Sequence, residues 1–434
     1  MGVYLPMGKA AQRWLGDVRR CAALVVALAL AKGLVFVALT GVGRARPFIG
    51  TNAREIVFPI ADRIVTQHRF NGGDSRPDSK MPPAYPFLVA LLKAAHVPHI
   101  AAGVVLLQMA ADAVTALCLL ACGCLMSNAL AGGVAGLLWT LYPPEIGIST
   151  WITQEPIFTA LLIASLVLVV ATLRGHKRTL FLSLAAGALM GLATLTRATP
   201  LLIPAALAPA WIWKRKFADA VVFLAAMCLF IVPWTIRNAT VLGDRIVVAT
   251  GTGSVFLLGS DDGQVYTTER KTAFFDAAAA EGRRNGILKP YPEYESAIDR
   301  WLFRLGLMRY RERLQTRPWS LPELIAVKFL RLWYTSETAH ARAELLLGLC
   351  ALPFVPIGLW QVWRWRKSQM ACFLVFGGVL AYFIAMHVVL LPLARYALPV
   401  HPLLILASAY WLCTRSQHPA PAGSPVTLAA GLRL

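Results

Sequence analysis

Three arginines stand alone where apolar runs of this chain meet a loop: Arg197, Arg237 and Arg395. A guanidinium is permanently charged and presents a planar fork of donors that matches phosphate oxygens. Basic clusters of another kind occupy the loops of opposite parity: Arg174-Gly175-His176-Lys177-Arg178, Lys214-Arg215-Lys216 and Arg364-Trp365-Arg366-Lys367. Such clusters set topology by the positive-inside rule, which assigns them to the cytoplasm. The solitary arginines then face outward, where topology gives them no duty. They are candidate ligands for an anion at the outer membrane surface; the competing reading is an interfacial arginine that snorkels. On the same side Glu155 opens an apolar run, at a helix start where the dipole favours a negative charge in any protein. In Val327-Lys328-Phe329-Leu330-Arg331-Leu332-Trp333-Tyr334, Lys328 and Arg331 offer two more cations, or an amphipathic helix lying on headgroups.

The elements that must position these groups are membrane spans. The chain has 434 residues, of which 57% are hydrophobic and only 15% charged, too apolar for a soluble domain of this length. Ten spans are expected, near 21–41, 100–125, 129–148, 155–173, 179–196, 198–213, 218–236, 343–363, 370–391 and 396–413. The basic stretch Met1 to Arg20 followed by an apolar run could pass for a signal peptide. It lacks a small-residue cleavage site, so it reads as a retained first helix with a cytoplasmic N-terminus. Parity then places residues 42–99 and 238–342 outside and the C-terminus inside.

The expected organisation is a membrane part at 1–236 that includes the first outer loop, 42–99. A helical extracytoplasmic segment at 237–342, C-terminal membrane helices at 343–413 and a disordered tail at 414–434 follow. Within the first outer loop two surface helices are expected. One covers 53–66, with Ile56, Val57, Ile60 and Val65 opposite Arg54, Asp62 and Arg63; the other, Pro86 to His96, is too short to cross. In the outer segment Ile298, Trp301, Leu302 and Leu305 share one helical face. Lys32 and Asp112 fall inside the first two spans, where a charge is costly unless paired, and are read as an ion pair.

The net charge of +20 divides among loops, so it points to topology and anionic headgroups rather than to nucleic acid. Six of the eight cysteines, Cys118, Cys122, Cys124, Cys228, Cys350 and Cys372, lie in apolar runs and behave as small hydrophobes. Neither they nor the histidines have ligand spacing, and no cofactor or metal is expected.

Five local patterns recur in order: Pro82-Pro83-Ala84-Tyr85-Pro86, Thr153-Gln154-Glu155-Pro156-Ile157-Phe158, Gly191-Leu192-Ala193-Thr194-Leu195-Thr196-Arg197, Pro233-Trp234-Thr235-Ile236-Arg237-Asn238 and Arg395-Tyr396-Ala397-Leu398-Pro399. Together they resemble the polyprenyl-phosphate-sugar-dependent glycosyltransferases of the GT-C superfamily. The likeness is to the bacterial family 39-like enzymes, kin to protein O-mannosyltransferases and the lipid A aminoarabinose transferase. It implies an all-α polytopic fold and transfer of a sugar, with inversion, from a polyprenyl-phosphate donor to an extracytoplasmic acceptor. The implied location is a bacterial inner membrane with the site facing the periplasm.

The resemblance implies a carboxylate base on the first outer loop. Members carry an aspartate there, and this chain has Asn52 and Ala53 at the matching place, so the nearest carboxylate, Glu55, takes the role. Asp74 and Asp78, on the same loop as Tyr85, are the fallback candidates. Glu155 matches an acidic site position, while Arg197, Arg237, Lys328, Arg331, Arg395 and Tyr396 fall to the lipid phosphate. Two alternatives come with the sequence. A transporter or flippase of lipid-linked sugars would use the Lys32–Asp112 pair; a catalytically silent relative would explain the missing aspartate.

Overall fold

The computed structural model describes residues 17–40, 53–72, 77–261, 268–288, 295–336 and 341–416. Asp74, Asn52, residues 1–16 and residues 417–434 of the expected tail lie outside them, and 414–416 are helical. Among the described residues the chain is helical, apart from an isolated antiparallel bridge between Asn71 and Pro77.

Helix α1 (Val18–Thr40) precedes the first loop, which holds a π-turn at Ala53–Val57, α2 (Phe58–Gln67) and α3 (Ala84–Ala94). Then come α4 (Ile100–Leu125), α5 (Ala129–Thr140), the two-turn α6 (Pro143–Ser149), α7 (Glu155–Leu173), α8 (Thr179–Thr196), α9 (Ile203–Lys214) and α10 (Phe217–Leu242). The long loop segment contributes α11 (Thr252–Ser260), α12 (Thr268–Arg284), α13 (Glu295–Thr316) and α14 (Ser320–Arg331). The chain returns through α15 (Ala341–Ala351), α16 (Val355–Ser368), α17 (Met370–Val389) and α18 (Ala394–Arg415).

Seven helical stretches among the described residues are long and apolar enough to cross a bilayer: α4, α7, α8, α10, the stretch Arg342–Ser368, α17 and α18. This is an integral membrane protein. The expected runs 21–41, 129–148 and 198–213 are not among the seven. Prolines divide two of them. The third run breaks into α5 and α6 ahead of Pro143 and Pro144, and the sixth opens as a 3-10 turn, Thr199–Leu202, before Pro204. A proline ring lacks the amide donor and clashes with the preceding turn, so a straight helix stops there.

Helix α7 is the central post: Phe158, Leu162, Ile163, Leu166, Val169 and Val170 are fully buried. Helices α4 and α5 meet back to back, since a Cβ on Gly123 would lie 2.4 Å from the Gly132 Cα. Of the apolar face expected over 53–66, Val57 is buried against the membrane part and Ile60 against Phe70 and Trp234, while Ile56 and Val65 are only partly buried. Ala53, Val57, Ala61, Tyr85, Val89 and Ala90 pack with Val104, Val105 and Met109 of α4 and with Ile152. In the long loop segment Trp301, Leu302 and Leu305 of α13 pack against Leu257, Ala278, Ala279 and Leu288.

Candidate active site

Three chain segments end at one place. Glu155 begins α7, Arg197 caps the C-terminus of α8, and Arg395 lies in the first turn of α18. Each is where an apolar run gives out, so the same sequence feature that ends the helix delivers the polar group. Glu155 is 1% exposed. Its Oε1 accepts a hydrogen bond from Arg197 Nη1 at 3.2 Å and forms an ion pair with Arg395 Nε at 3.6 Å. The Thr153 hydroxyl donates to Oε2. Tyr396 is the platform beside them: the guanidinium carbons of Arg197 and Arg395 lie 4.5 and 5.3 Å from its ring centroid. His387 stacks on that ring at 5.2 Å and 27°. Both guanidinium groups thus meet on one carboxylate, and the Arg395 side chain keeps about a third of its surface exposed (32%).

A buried amide holds the carboxylate loop in register. Gln108 of α4, fully buried, accepts from Tyr85 Oη at 2.6 Å and from the Thr153 amide at 3.2 Å. Its Nε2 donates to the Ser149 and Trp151 carbonyls at 3.0 and 2.6 Å. All four hydrogen-bonding capacities are used, and each ties the α6–α7 connection or the start of α3 to α4. Tyr85, a candidate of the first loop, thus has its hydroxyl committed to Gln108. Nothing in the apolar run around Gln108 marked it beyond its being an amide inside a span.

Below Arg395 lies a cavity of about 390 Å³ with mostly apolar walls. Pro143, Pro144 and Ile148 of α6 line it, with Leu346 and Leu347 of α15, and Trp333 and His401 are among the other lining residues. His401 is fixed by a 2.9 Å hydrogen bond between its Nδ1 and the Tyr142 hydroxyl.

Arg237, Asp78 and Lys328 have other partners. Arg237 donates through Nη1 to the Asp78 carbonyl at 3.0 Å and through Nη2 to the Phe70 carbonyl at 2.9 Å, beside the Phe70 and Trp234 rings. It therefore clasps Phe70 and Asp78 together. Asp78 Oδ1 accepts from the Lys80 and Met81 amides at 2.8 and 3.0 Å and so caps the turn that enters α3. Lys328 is fully buried, and its Nζ donates to the Gly259 carbonyl at 2.8 Å, the Val389 carbonyl at 3.1 Å and Tyr310 Oη at 3.2 Å. Burial, with the Arg313 charge added, brings that ammonium down from 10.5 to about 7. Arg331, half-buried one turn on, makes no ion pair among the described residues. Glu55 is exposed on the π-turn, between the buried Ala53 and Val57. Among the described residues no three His, Cys, Asp or Glu side chains gather as they would around a metal ion.

No protein-family model and no curated protein sequence matches the chain. Solved structures do. The archaeal oligosaccharyltransferase AglB from Archaeoglobus fulgidus, in complex with an inhibitory peptide and a dolichol-phosphate, overlays with a TM-score of 0.53 at 14% identity. The overlay covers 89% of this chain and 50% of that one. The apo oligosaccharyltransferase of Archaeoglobus fulgidus gives 0.54 at 12% identity, over 90% of this chain and 50% of that one. ArnT from Cupriavidus metallidurans, bound to undecaprenyl phosphate, aligns over 91% of this chain and 77% of that chain at 15% identity with a TM-score of 0.39. The chain spans about half the length of the oligosaccharyltransferases it matches, 50% in each case. It has the fold of the GT-C membrane proteins.

Proposed function

We propose that this chain is an inverting glycosyltransferase that takes a sugar from a polyprenyl-phosphate carrier and gives it to an acceptor on the extracytoplasmic side. In this reading the termini are cytoplasmic, as the basic clusters require, and the membrane is a bacterial inner membrane. The observation that carries the reading is the Glu155–Arg197–Arg395 cluster, two guanidinium groups on one carboxylate, beside an apolar cavity lined by Arg395 itself. An amphiphile with a phosphate head and a hydrocarbon tail satisfies both parts at once. A water-soluble phosphate would leave the apolar walls unused.

The chemistry needs few groups. An acceptor hydroxyl or amine attacks the anomeric carbon while the bond from that carbon to the phosphate oxygen breaks, its electron pair passing to the oxygen. The phosphate gains one negative charge, so the guanidinium groups of Arg197 and Arg395 stabilise the transition state more than the bound donor. Glu155 holds both arginines at one spot and is too enclosed to reach an acceptor; it positions them. The base that takes the acceptor's proton is Glu55, the exposed carboxylate of the first loop, and such a base contributes roughly 10²–10⁴-fold. Asp74 on the same loop is the alternate. Lys328 and Arg237 act at a distance, the first by joining helices and the second by holding the loop.

The test is sugar transfer in membranes supplied with a polyprenyl-phosphate-linked sugar. Arg395→Ala and Arg197→Ala should each lower kcat/KM at least tenfold while the protein stays folded. Kinetics unchanged in both variants would remove the phosphate site and, with it, this function.

A further inference from the structure

The hairpin of α13 and α14 carries an apolar surface that the proposed transfer does not use. Trp319, in the turn between the two helices, is 86% exposed. Phe303, Leu307 and Leu314 of α13 are exposed as well, and their spacing of four and seven residues sets them on one stripe. On α14 the side chains of Leu324 and Lys328 are buried, while Pro322, Ile325, Ala326 and Leu330 are exposed. Glu323 is the one exposed charged residue of that helix. A helix apolar over most of its girth is not one that water surrounds, and an exposed apolar surface of this kind marks a contact.

Hydrogen bonds at the root of the hairpin indicate what covers it. The Val389 carbonyl, at the last residue of the membrane-spanning α17, accepts from Tyr310 Oη of α13 at 2.8 Å and from Lys328 Nζ of α14 at 3.1 Å. Both helices are thus pinned at the level where α17 runs out, and α14 packs against that helix. Val389 is itself exposed, so part of α17 at that level borders lipid rather than protein. Charge points the same way. Arg304, Arg311 and Arg317 are exposed and make no ion pair among the described residues, and the exposed acids of the two helices near them are Glu312 and Glu323. Indole favours the boundary between headgroups and acyl chains, and guanidinium favours phosphate. We propose that the α13–α14 hairpin is seated in the headgroup layer of the bilayer that α17 spans. Trp319, Ile325 and Leu330 enter the acyl boundary, and Arg304, Arg311 and Arg317 bind the phosphates of anionic lipids. This inference stands apart from the sugar-transfer reading, since it needs neither donor nor acceptor.

The experiment places the full chain in nanodiscs of phosphatidylcholine, with or without phosphatidylglycerol. Fluorescence of the wild type minus that of Trp319→Phe isolates one indole among thirteen. That difference emission should be quenched by brominated acyl chains and protected from iodide in the water. Hydrogen exchange over 314–323 should be slower by about fivefold or more when phosphatidylglycerol is present. High salt should weaken this dependence, and the combined change Arg304→Gln, Arg311→Gln and Arg317→Gln should abolish it. All four positions are exposed, so the variants keep the fold. Iodide quenching of Trp319 overturns the proposal, and so does protection from both quenchers, which would show a protein partner on this surface. Exchange that ignores phosphatidylglycerol overturns the part given to the arginines.

Discussion

Glutamine at position 155 changes a carboxylate oxygen to an amide nitrogen and hardly changes volume. It removes the anion that holds Arg197 at 3.2 Å and Arg395 at 3.6 Å. At an effective dielectric of about 20, each contact is worth about 5 kcal/mol of gross attraction. Relief from burying a carboxylate that is 1% exposed returns several kcal/mol of that. The net loss for breaking such a buried pair from one side is about 3–5 kcal/mol. Glu155→Gln should therefore lower the thermal stability of the ligand-free protein, because two guanidinium groups now repel each other. The informative measurement is the same melting experiment with undecaprenyl phosphate added. A phosphate can replace the missing anion, so it should raise the Tm of the variant more than that of the wild type, and bind the variant more tightly. Turnover should still fall, since arginines that relax around the phosphate of the bound donor no longer favour the transition state over it. A variant as stable as wild type, with an unchanged response to undecaprenyl phosphate, would refute the idea that Glu155 organises the arginines.

Glu55→Gln should cut sugar transfer by roughly 10²-fold or more without changing donor affinity, the signature of a lost proton acceptor; wild-type kcat would move the base to another first-loop carboxylate. Gln108→Leu leaves the Tyr85 hydroxyl, the Thr153 amide and two carbonyls buried without partners, at about 1–3 kcal/mol each for the groups that find no substitute. A melting curve like that of the wild type would contradict it. Lys328 is charged below and neutral above about pH 7 in the folded protein, whereas an unfolded lysine stays charged to about pH 10. The unfolded chain binds more protons in that window, so stability should rise with pH from about 7 towards 10, by at most about 4 kcal/mol, and Lys328→Met should flatten the rise. Arg237→Ala should raise hydrogen exchange in the 70–72 and 77–80 backbone and lower kcat through the loop; an unchanged exchange pattern would show that the clasp does nothing.

What was legible in the sequence was whatever a single chain position could declare. Arg197 and Arg395 were visible as lone cations at the ends of apolar runs, and parity put those ends on one side before any contact was known. Their meeting with Glu155 follows from helices that cross the same thickness of membrane and stop at the same level. The first of the first-loop helices was readable by spacing, since Val57 and Ile60 advertise a buried face, and the second by an apolar run too short to cross. Partners made of backbone were not readable. The carbonyls of Phe70 and Asp78 on Arg237, and those of Gly259 and Val389 on Lys328, belong to no residue type. A lone arginine bound to a phosphate and one bound to two carbonyls look alike in a sequence. Gln108 was hidden by its apolar neighbours. The division of the third span at Pro143 was written in the prolines, yet a hydropathy window averages across them.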